Sequence, residues 1–237
     1  MGVRIPKRVA SGVYQLGLGG VNVFFVELDD GGLVLVDAGI EPGAERIGAG
    51  LRALGRAPKD VRGIVVTHLH GDHTGGLAAV KEHTGAEVWM HSADAAAVRE
   101  GVRRRTLEPG PGLVRTIIAR ALERRPASGA TPVAVEHDVA GGETLPFDGL
   151  TAVHTPGHTA GHLALLLPRD GGVLFTGDAA TDFGRLGAGP IYEDVAEGRR
   201  SLEKLAALDF DVALFSHGRP IRGGAGERFR ARWAPRG

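Results

Sequence analysis

Six consecutive residues, His68-Leu69-His70-Gly71-Asp72-His73, carry three histidines and a carboxylate, and they follow the run Ile64-Val65-Val66-Thr67 directly. Ligand-type groups packed this closely repel one another or stay unsatisfied unless they share a cation. Imidazole nitrogen and carboxylate oxygen suit zinc at neutral pH, and to a lesser degree iron or manganese. The flanks say where in a fold the segment sits. Ile64 to Thr67 reads as a short buried strand, and Gly75-Gly76 followed by Leu77, Val80 and Lys81 reads as the opening of a helix. The histidines then occupy a loop at a strand's carboxyl end, where open α/β sheets keep their ligand sites.

Three later segments also run from apolar residues into a candidate ligand. They are Leu150 to His154 with His158 close behind, Gly172 to Asp178, and Asp211 to His217 with Gly218. The small residues beside each ligand let the backbone turn sharply and leave room for an ion. Singly, Phe-Thr-Gly-Asp is a strand ending in a turn and Ser-His-Gly a surface loop. Joined in this order to the first cluster, in one chain, they are a strong signal.

Together these motifs resemble the metallo-β-lactamase-fold hydrolase superfamily, and specifically its members that hold two metals, over about Val13 to Pro220. The resemblance implies a four-layer αββα sandwich in which His68, His70 and His158 hold a first metal and Asp72, His73 and His217 a second. Asp178 would bridge both, with Asp72 and Asp178 the catalytic carboxylates. Asp37, in Val34-Leu35-Val36-Asp37-Ala38-Gly39, matches a family aspartate that lies beneath the site and orients the first loop. On residue chemistry alone Asp37 reads equally well as a polar residue closing a strand.

Elementary chemistry agrees with that placement. Two cations beside a bridging carboxylate lower the pKa of a trapped water toward neutrality, so a bridging hydroxide becomes the nucleophile without a separate base. One metal can polarise a carbonyl while the other holds the hydroxide or takes the departing oxygen or sulfur. That describes hydrolysis of a small ester, thioester or lactone, with two divalent ions as cofactors, Zn2+ first and Mn2+ or Fe2+ as alternatives. No serine or cysteine nucleophile is required.

Composition narrows the setting. With 237 residues, 43% hydrophobic and 24% charged, the chain suits one soluble domain, 1–237, with a substantial core. Lys plus Arg and Asp plus Glu both total 28, so no global basic field recruits nucleic acid or anionic lipid, and the expected partner is a small-molecule substrate. The absence of cysteine excludes disulfides, iron–sulfur clusters and thiolate ligands. It also separates the chain from true β-lactamases of the fold that use a cysteine at the second metal. The amino terminus lacks the apolar core of a signal peptide and no apolar run approaches membrane-spanning length, so a cytoplasmic location is expected.

Two stretches look related. Phe24 to Asp37 and Leu163 to Asp178 each read strand, Asp-Gly-Gly turn, strand, aspartate. They fit two like halves, sheet on sheet, covered by helices at Ala44 to Leu54, Gly76 to Thr84 and Val195 to Leu208, with the site at the seam. One region departs from this alternation. From about 92 to 131 the chain reads as an inserted helical hairpin broken at Pro109-Gly110-Pro111-Gly112, with Leu113, Val114, Ile117, Ile118, Ala121 and Leu122 as the second helix's apolar face. Its arginines, Arg99, Arg103, Arg104, Arg105, Arg115, Arg120, Arg124 and Arg125, outnumber its acids. They read as a solvated face or as a basic surface that steers an anionic substrate, and the apolar stripe fits a homodimer contact.

His83, His91 and His137 read as structural or exposed, while His154 and His162 flank a ligand and fit supporting or packing roles. Tyr192 reads either as packing or as a donor to a substrate carbonyl, as in some lactonases of this fold. The leading expectation is a dinuclear hydrolase similar to hydroxyacylglutathione hydrolases and acyl-homoserine lactonases. With about 20 residues after His217, the length fits the lactonase-like branch better. The alternatives are a mononuclear iron oxygenase similar to persulfide dioxygenases and a non-catalytic metal-binding domain. A complete ligand set argues against both.

Overall fold

A computed structural model describes residues 5–41, 43–110, 112, 113, 116, 117, 120, 121, 124 and 128–235. Among these, β1 (Lys7–Ala10), β2 (Val13–Gly17), β3 (Asn22–Glu27), β4 (Leu33–Val36), β5 (Val61–Val66), β6 (Glu87–His91) and β8 (His137–Val139) lie side by side in that order. Pairing is antiparallel as far as β4 and parallel beyond it. Parallel neighbours need long crossovers, which run through α1 (Gly43–Ala53) and then α2 (Gly71–Thr74) with α3 (Leu77–Thr84). A second sheet runs β16 (Ile221–Arg222), β15 (Val212–Leu214), β11 (Val173–Phe175), β10 (Leu163–Leu167), β9 (Thr151–His154). Its one parallel pair, β11 with β15, is joined through α5 (Val195–Ala206), and α6 (Ala225–Trp233) follows β16. Two short pairs complete the strands: β12 (Ala180–Asp182) with β13 (Leu186–Ala188), and β7 (Glu108–Pro109) with β14 (Ile191–Tyr192).

The two-residue period of each strand sorts its side chains into layers. Phe24, Val26, Val34, Val36 and Val65 of the first sheet share a core with Leu163, Leu165, Val173, Phe175, Val212 and Leu214 of the second. Their alternates Val23, Phe25, Leu33, Leu35, Ile64 and Val66 pack outward against Ile47 and Leu51 of α1 and Leu77 and Val80 of α3. On the far side Ala164, Leu174 and Ala213 meet Leu202 and Leu205 of α5 and Phe229 of α6. The order is therefore helix, sheet, sheet, helix. Fully burying one such Val, Leu, Ile or Phe is worth about 1.5–3 kcal/mol, and a one-residue slip moves a strand's whole set to the opposite face, so register is strongly specified.

Both Asp-Gly-Gly segments turn between antiparallel strands, β3 to β4 and β10 to β11. Gly31 (φ 83°) and Gly171 (φ 73°) take the left-handed conformation that such turns need. Elsewhere the boundaries differ from expectation. The strand expected from Ile64 to Thr67 is β5, which starts at Val61 and ends at Val66, because the Thr67 N–H leaves the ladder for Asp37 Oδ1 at 2.8 Å. The expected histidine loop contains the helical turn α2. In the inserted region α4 (Ser92–Arg99) follows β6, whereas the second helix expected around Leu113 to Leu122 lies largely outside the described residues. No helix among the described residues is long and apolar enough to cross a membrane.

Candidate metal centre

The candidate ligands sit just past the ends of four strands: His68, His70, Asp72 and His73 after β5, His158 after β9, Asp178 after β11 and His217 after β15. Close backbone contact sets the first group. The Ala38 N–H donates to the His73 carbonyl at 2.9 Å and Gly76 N–H to the Gly39 carbonyl at 3.0 Å. A Cβ at Gly76 would stand 2.5 Å from the Ala38 oxygen, so only glycine lets the segment after β5 lie this close to the end of β4.

Three ring nitrogens converge. His68 Nε2 is 3.1 Å from His70 Nδ1 and 3.1 Å from His158 Nε2, which is 3.0 Å from His70 Nδ1. Tetrahedral zinc with Zn–N bonds of about 2.0–2.1 Å implies N···N edges of roughly 3.3 Å, close to this triangle. A second group lies beside it. His217 Nε2 is 3.2 Å from Asp72 Oδ2, and His73 Nε2 is 3.8 Å from the same oxygen. Asp178 belongs to both. Its Oδ2 is 3.4 Å from His158 Nε2 and 3.3 Å from His217 Nε2, and its Oδ1 is 3.5 Å from His73 Nε2.

Hydrogen bonds on the far side of each ring decide which nitrogen offers a lone pair. Asp37, with no exposed surface, accepts from the Thr67 hydroxyl at 3.0 and 2.9 Å and from His73 Nδ1 at 2.8 Å. Thr67 Oγ1, having donated to Asp37, accepts from His68 Nδ1 at 3.1 Å. His158 Nδ1 donates to the Ile191 carbonyl at 2.9 Å and His217 Nδ1 to the Gly20 carbonyl at 2.7 Å. With those protons assigned, the neutral rings of His68 and His158 turn a bare Nε2 toward the cluster, and His73 and His217 turn toward it an Nε2 whose proton a cation would displace. In the triangle His70 can supply at most one N–H, so at least one pair of lone pairs meets at about 3 Å. His73 Nε2 and Asp178 Oδ1, which face each other across the second group, are buried without a hydrogen-bond partner. Orphaned donor atoms of this kind are what a bound cation satisfies, so the residues present fit a metal.

The electrostatics agree. Burial, then the neighbouring rings, pushes His70 down to about 3 and His68 well below its ordinary value, leaving neutral imidazoles suited to a cation. His73 and His217 go the other way. Burial lowers His73, but Asp37, Asp178 and Asp72 outweigh it and push it up to about 10; Asp178 leads in pushing His217 up to about 11. Burial would raise Asp178, yet His217 and His73 hold it well below the usual carboxylate range. Carboxylates this strongly biased toward the ionised form balance positive charge, whether protons or a metal.

The remaining candidates stand outside the convergent groups. The His154 ring stacks on His91 with centroids 4.1 Å apart, and its Nε2 hydrogen-bonds the Ala160 carbonyl at 2.9 Å. Tyr192 is buried with its ring beside Gly198 of α5, and it is the carbonyl of its neighbour Ile191 that reaches His158. His162 Nε2 accepts the Asp178 N–H at 3.0 Å while its Nδ1 donates to Thr155 at 2.8 Å, so it holds the shared aspartate by the backbone. Sequence reasoning missed Thr67 as the link from Asp37 to His68; adjacency to His68 was the only signal. It also missed Asp94, a fully buried carboxylate under both histidine loops.

Comparison with known proteins follows the same outline. The chain is 28% identical to the "Probable metallo-hydrolase YflN" of Bacillus subtilis, over 90% of this chain and 86% of that one. It is 35% identical to a hydroxyacylglutathione hydrolase of Pseudomonas aeruginosa over 64% of this chain, but spans only 45% of that relative's length. Its fold matches the metallo-beta-lactamase SMB-1, solved in a complex with mercaptoacetic acid, with a TM-score of 0.73 at 24% identity over 96% of this chain and 92% of the other. The family model of the metallo-beta-lactamase superfamily matches residues 16–217, a span that includes every residue of the two convergent groups, and the chain belongs to that superfamily.

Proposed function

We propose that this chain is a hydrolase of a small ester, thioester or lactone that works with two divalent ions, zinc foremost. His68, His70 and His158 would hold one ion, Asp72, His73 and His217 the other, and Asp178 both. The observation that carries this reading is the position of Asp178, whose Oδ2 faces His158 at 3.4 Å and whose Oδ1 faces His73 at 3.5 Å. A single carboxylate between two nitrogen groups supports a dinuclear site over a mononuclear iron oxygenase, which needs only two histidines and one carboxylate. When bound, such ions lower the pKa of water and polarise a carbonyl or a leaving oxygen or sulfur.

The chain's own residues do the rest. Asp37, Ile191 and Gly20 keep the histidine lone pairs pointed inward through Nδ1 and Thr67. The Asp72 side chain, 40% exposed against 7% for Asp178, is the carboxylate of the cluster that solvent reaches. It stands where it can orient a water molecule. The chain has no cysteine to offer as a nucleophile or ligand, in keeping with water as the attacking group.

Elemental analysis of the purified, unchelated protein, followed by a panel of small esters, thioesters and lactones, tests this. Close to two zinc or manganese ions per chain with hydrolysis lost on chelation is the expected result. One iron per chain with oxygen uptake on persulfides would overturn it.

A further inference from the structure

Asp94 lies in the first turn of α4 with no exposed surface, remote in sequence from every candidate ligand. Its Oδ2 accepts the Leu69 N–H at 3.1 Å and the Thr159 hydroxyl at 2.6 Å; its Oδ1 accepts the Gly161 N–H at 3.0 Å and Arg105 Nη1 at 2.9 Å. Leu69 stands between His68 and His70, and Thr159 follows His158. One carboxylate thus grips both loops that build the three-histidine triangle. A Cβ at Gly161 would lie 2.7 Å from the Asp94 carboxyl carbon, so the second loop comes as near as a glycine permits.

Arg105 extends the grip. Its Nη1 is also 3.2 Å from Glu193 Oε1, and its Nη2 donates to the Ala93 carbonyl at 2.5 Å. Glu193 in turn accepts the Ala160 N–H at 2.7 Å and donates its own N–H to the Gly157 carbonyl at 2.7 Å. It sits two residues beyond Ile191, whose carbonyl fixes the His158 tautomer. None of these hydrogen bonds reaches Asp72, His73 or His217.

Simple packing does not explain these choices. A buried carboxylate is costly, and apolar residues of similar volume commonly serve stability as well or better. What the carboxylate adds is several acceptor directions fixed in one plane, here spent on backbone and hydroxyl donors of two loops far apart in sequence. Taking the metal reading of the site as its basis, we infer that Asp94, Arg105 and Glu193 form a positioning network that sets the spacing of His68, His70 and His158. It governs the affinity of the three-histidine ion and leaves the ion at Asp72, His73 and His217 largely untouched.

The test is metal retention by the whole chain during dialysis against graded chelator, read as ions per chain and paired with thermal unfolding of each chelated variant. Asp94→Asn should lose one ion at chelator levels about 10–100-fold lower than the parent while keeping the other. Arg105→Gln should shift in the same direction by less, and Arg105→Lys should recover part of it. Because the Arg105 side chain is 32% exposed, its variants fold more readily and decide the matter where Asp94→Asn does not. Parent-like retention of both ions in Arg105→Gln, or loss of both ions in step with thermal stability, would overturn the inference. A parent protein that binds no metal would instead sink the dinuclear reading itself.

Discussion

The two halves use the same local device, a hairpin that ends in an aspartate, for different purposes. In the amino-terminal half Asp37 follows β4 directly at φ 64° and is wholly buried against Thr67 and His73. In the carboxyl-terminal half Thr176 and Gly177 (φ 52°) separate β11 from Asp178, and that spacer carries the carboxylate out among the histidine nitrogens. The aspartate flush with the strand end lies behind the histidine rings, whereas the one set beyond the end stands among their inward nitrogens. The lesson concerns distance along the backbone, since the residue type and the preceding turn are alike.

The largest effect should come from the second half. Asp178→Ala should abolish hydrolysis at any metal concentration and lower the ions held per chain, with the circular dichroism of the strands and helices kept. Asp37→Asn should differ in kind. Asparagine tolerates positive φ, so the backbone stays, but the loss of charge should weaken metal binding by about 10–100-fold and excess metal should restore turnover. If excess metal rescued both variants equally, the contrast between the halves would fail.

Thr67→Val comes next. It cuts the path from Asp37 to His68 while leaving the 2.8 Å contact to His73, so metal affinity should fall less than in Asp37→Asn. A further prediction concerns pH. With metal chelated away, the carboxylates push His73 up to about 10 and His217 up to about 11, above the ordinary histidine value of 6.5. Their stabilising contribution is full below that ordinary value and is lost as pH rises through about 10 to 11. Thermal scans of the chelated protein should follow that fall. Metal must displace the same protons, so titration with zinc in weak buffer should release acid and affinity should climb with pH. The smallest effect belongs to His154→Ala, which removes a ring stacked on His91 and should alter turnover less than any other change named here.

Much of this was legible because the signals are local. The run from His68 to His73 concentrates its chemistry in six residues, and each other candidate ligand follows its own short apolar run. The two Asp-Gly-Gly turns state their hairpins through backbone requirements carried by single residues. The supporting groups had no such signature. Asp94 acts on Leu69, Thr159 and Gly161 at separations of 25, 65 and 67 residues, and no periodicity links a helix-end acid to loops that distant. The Ile191 carbonyl had none either, since the group that touches His158 there is one that every residue carries.

By itself the sequence determined the layered α/β class, the strand ends where ligands gather and the superfamily to which the chain belongs, since period-two burial, turn chemistry and ligand type are properties of short segments. Only the tertiary structure decided that His68, His70 and His158 close a triangle about 3 Å on a side, which nitrogen of each ring faces inward, and that Asp178 stands among those nitrogens while Asp37 lies behind the rings. Those outcomes depend on distances between segments far apart in the chain, and such distances exist only once both sheets have packed.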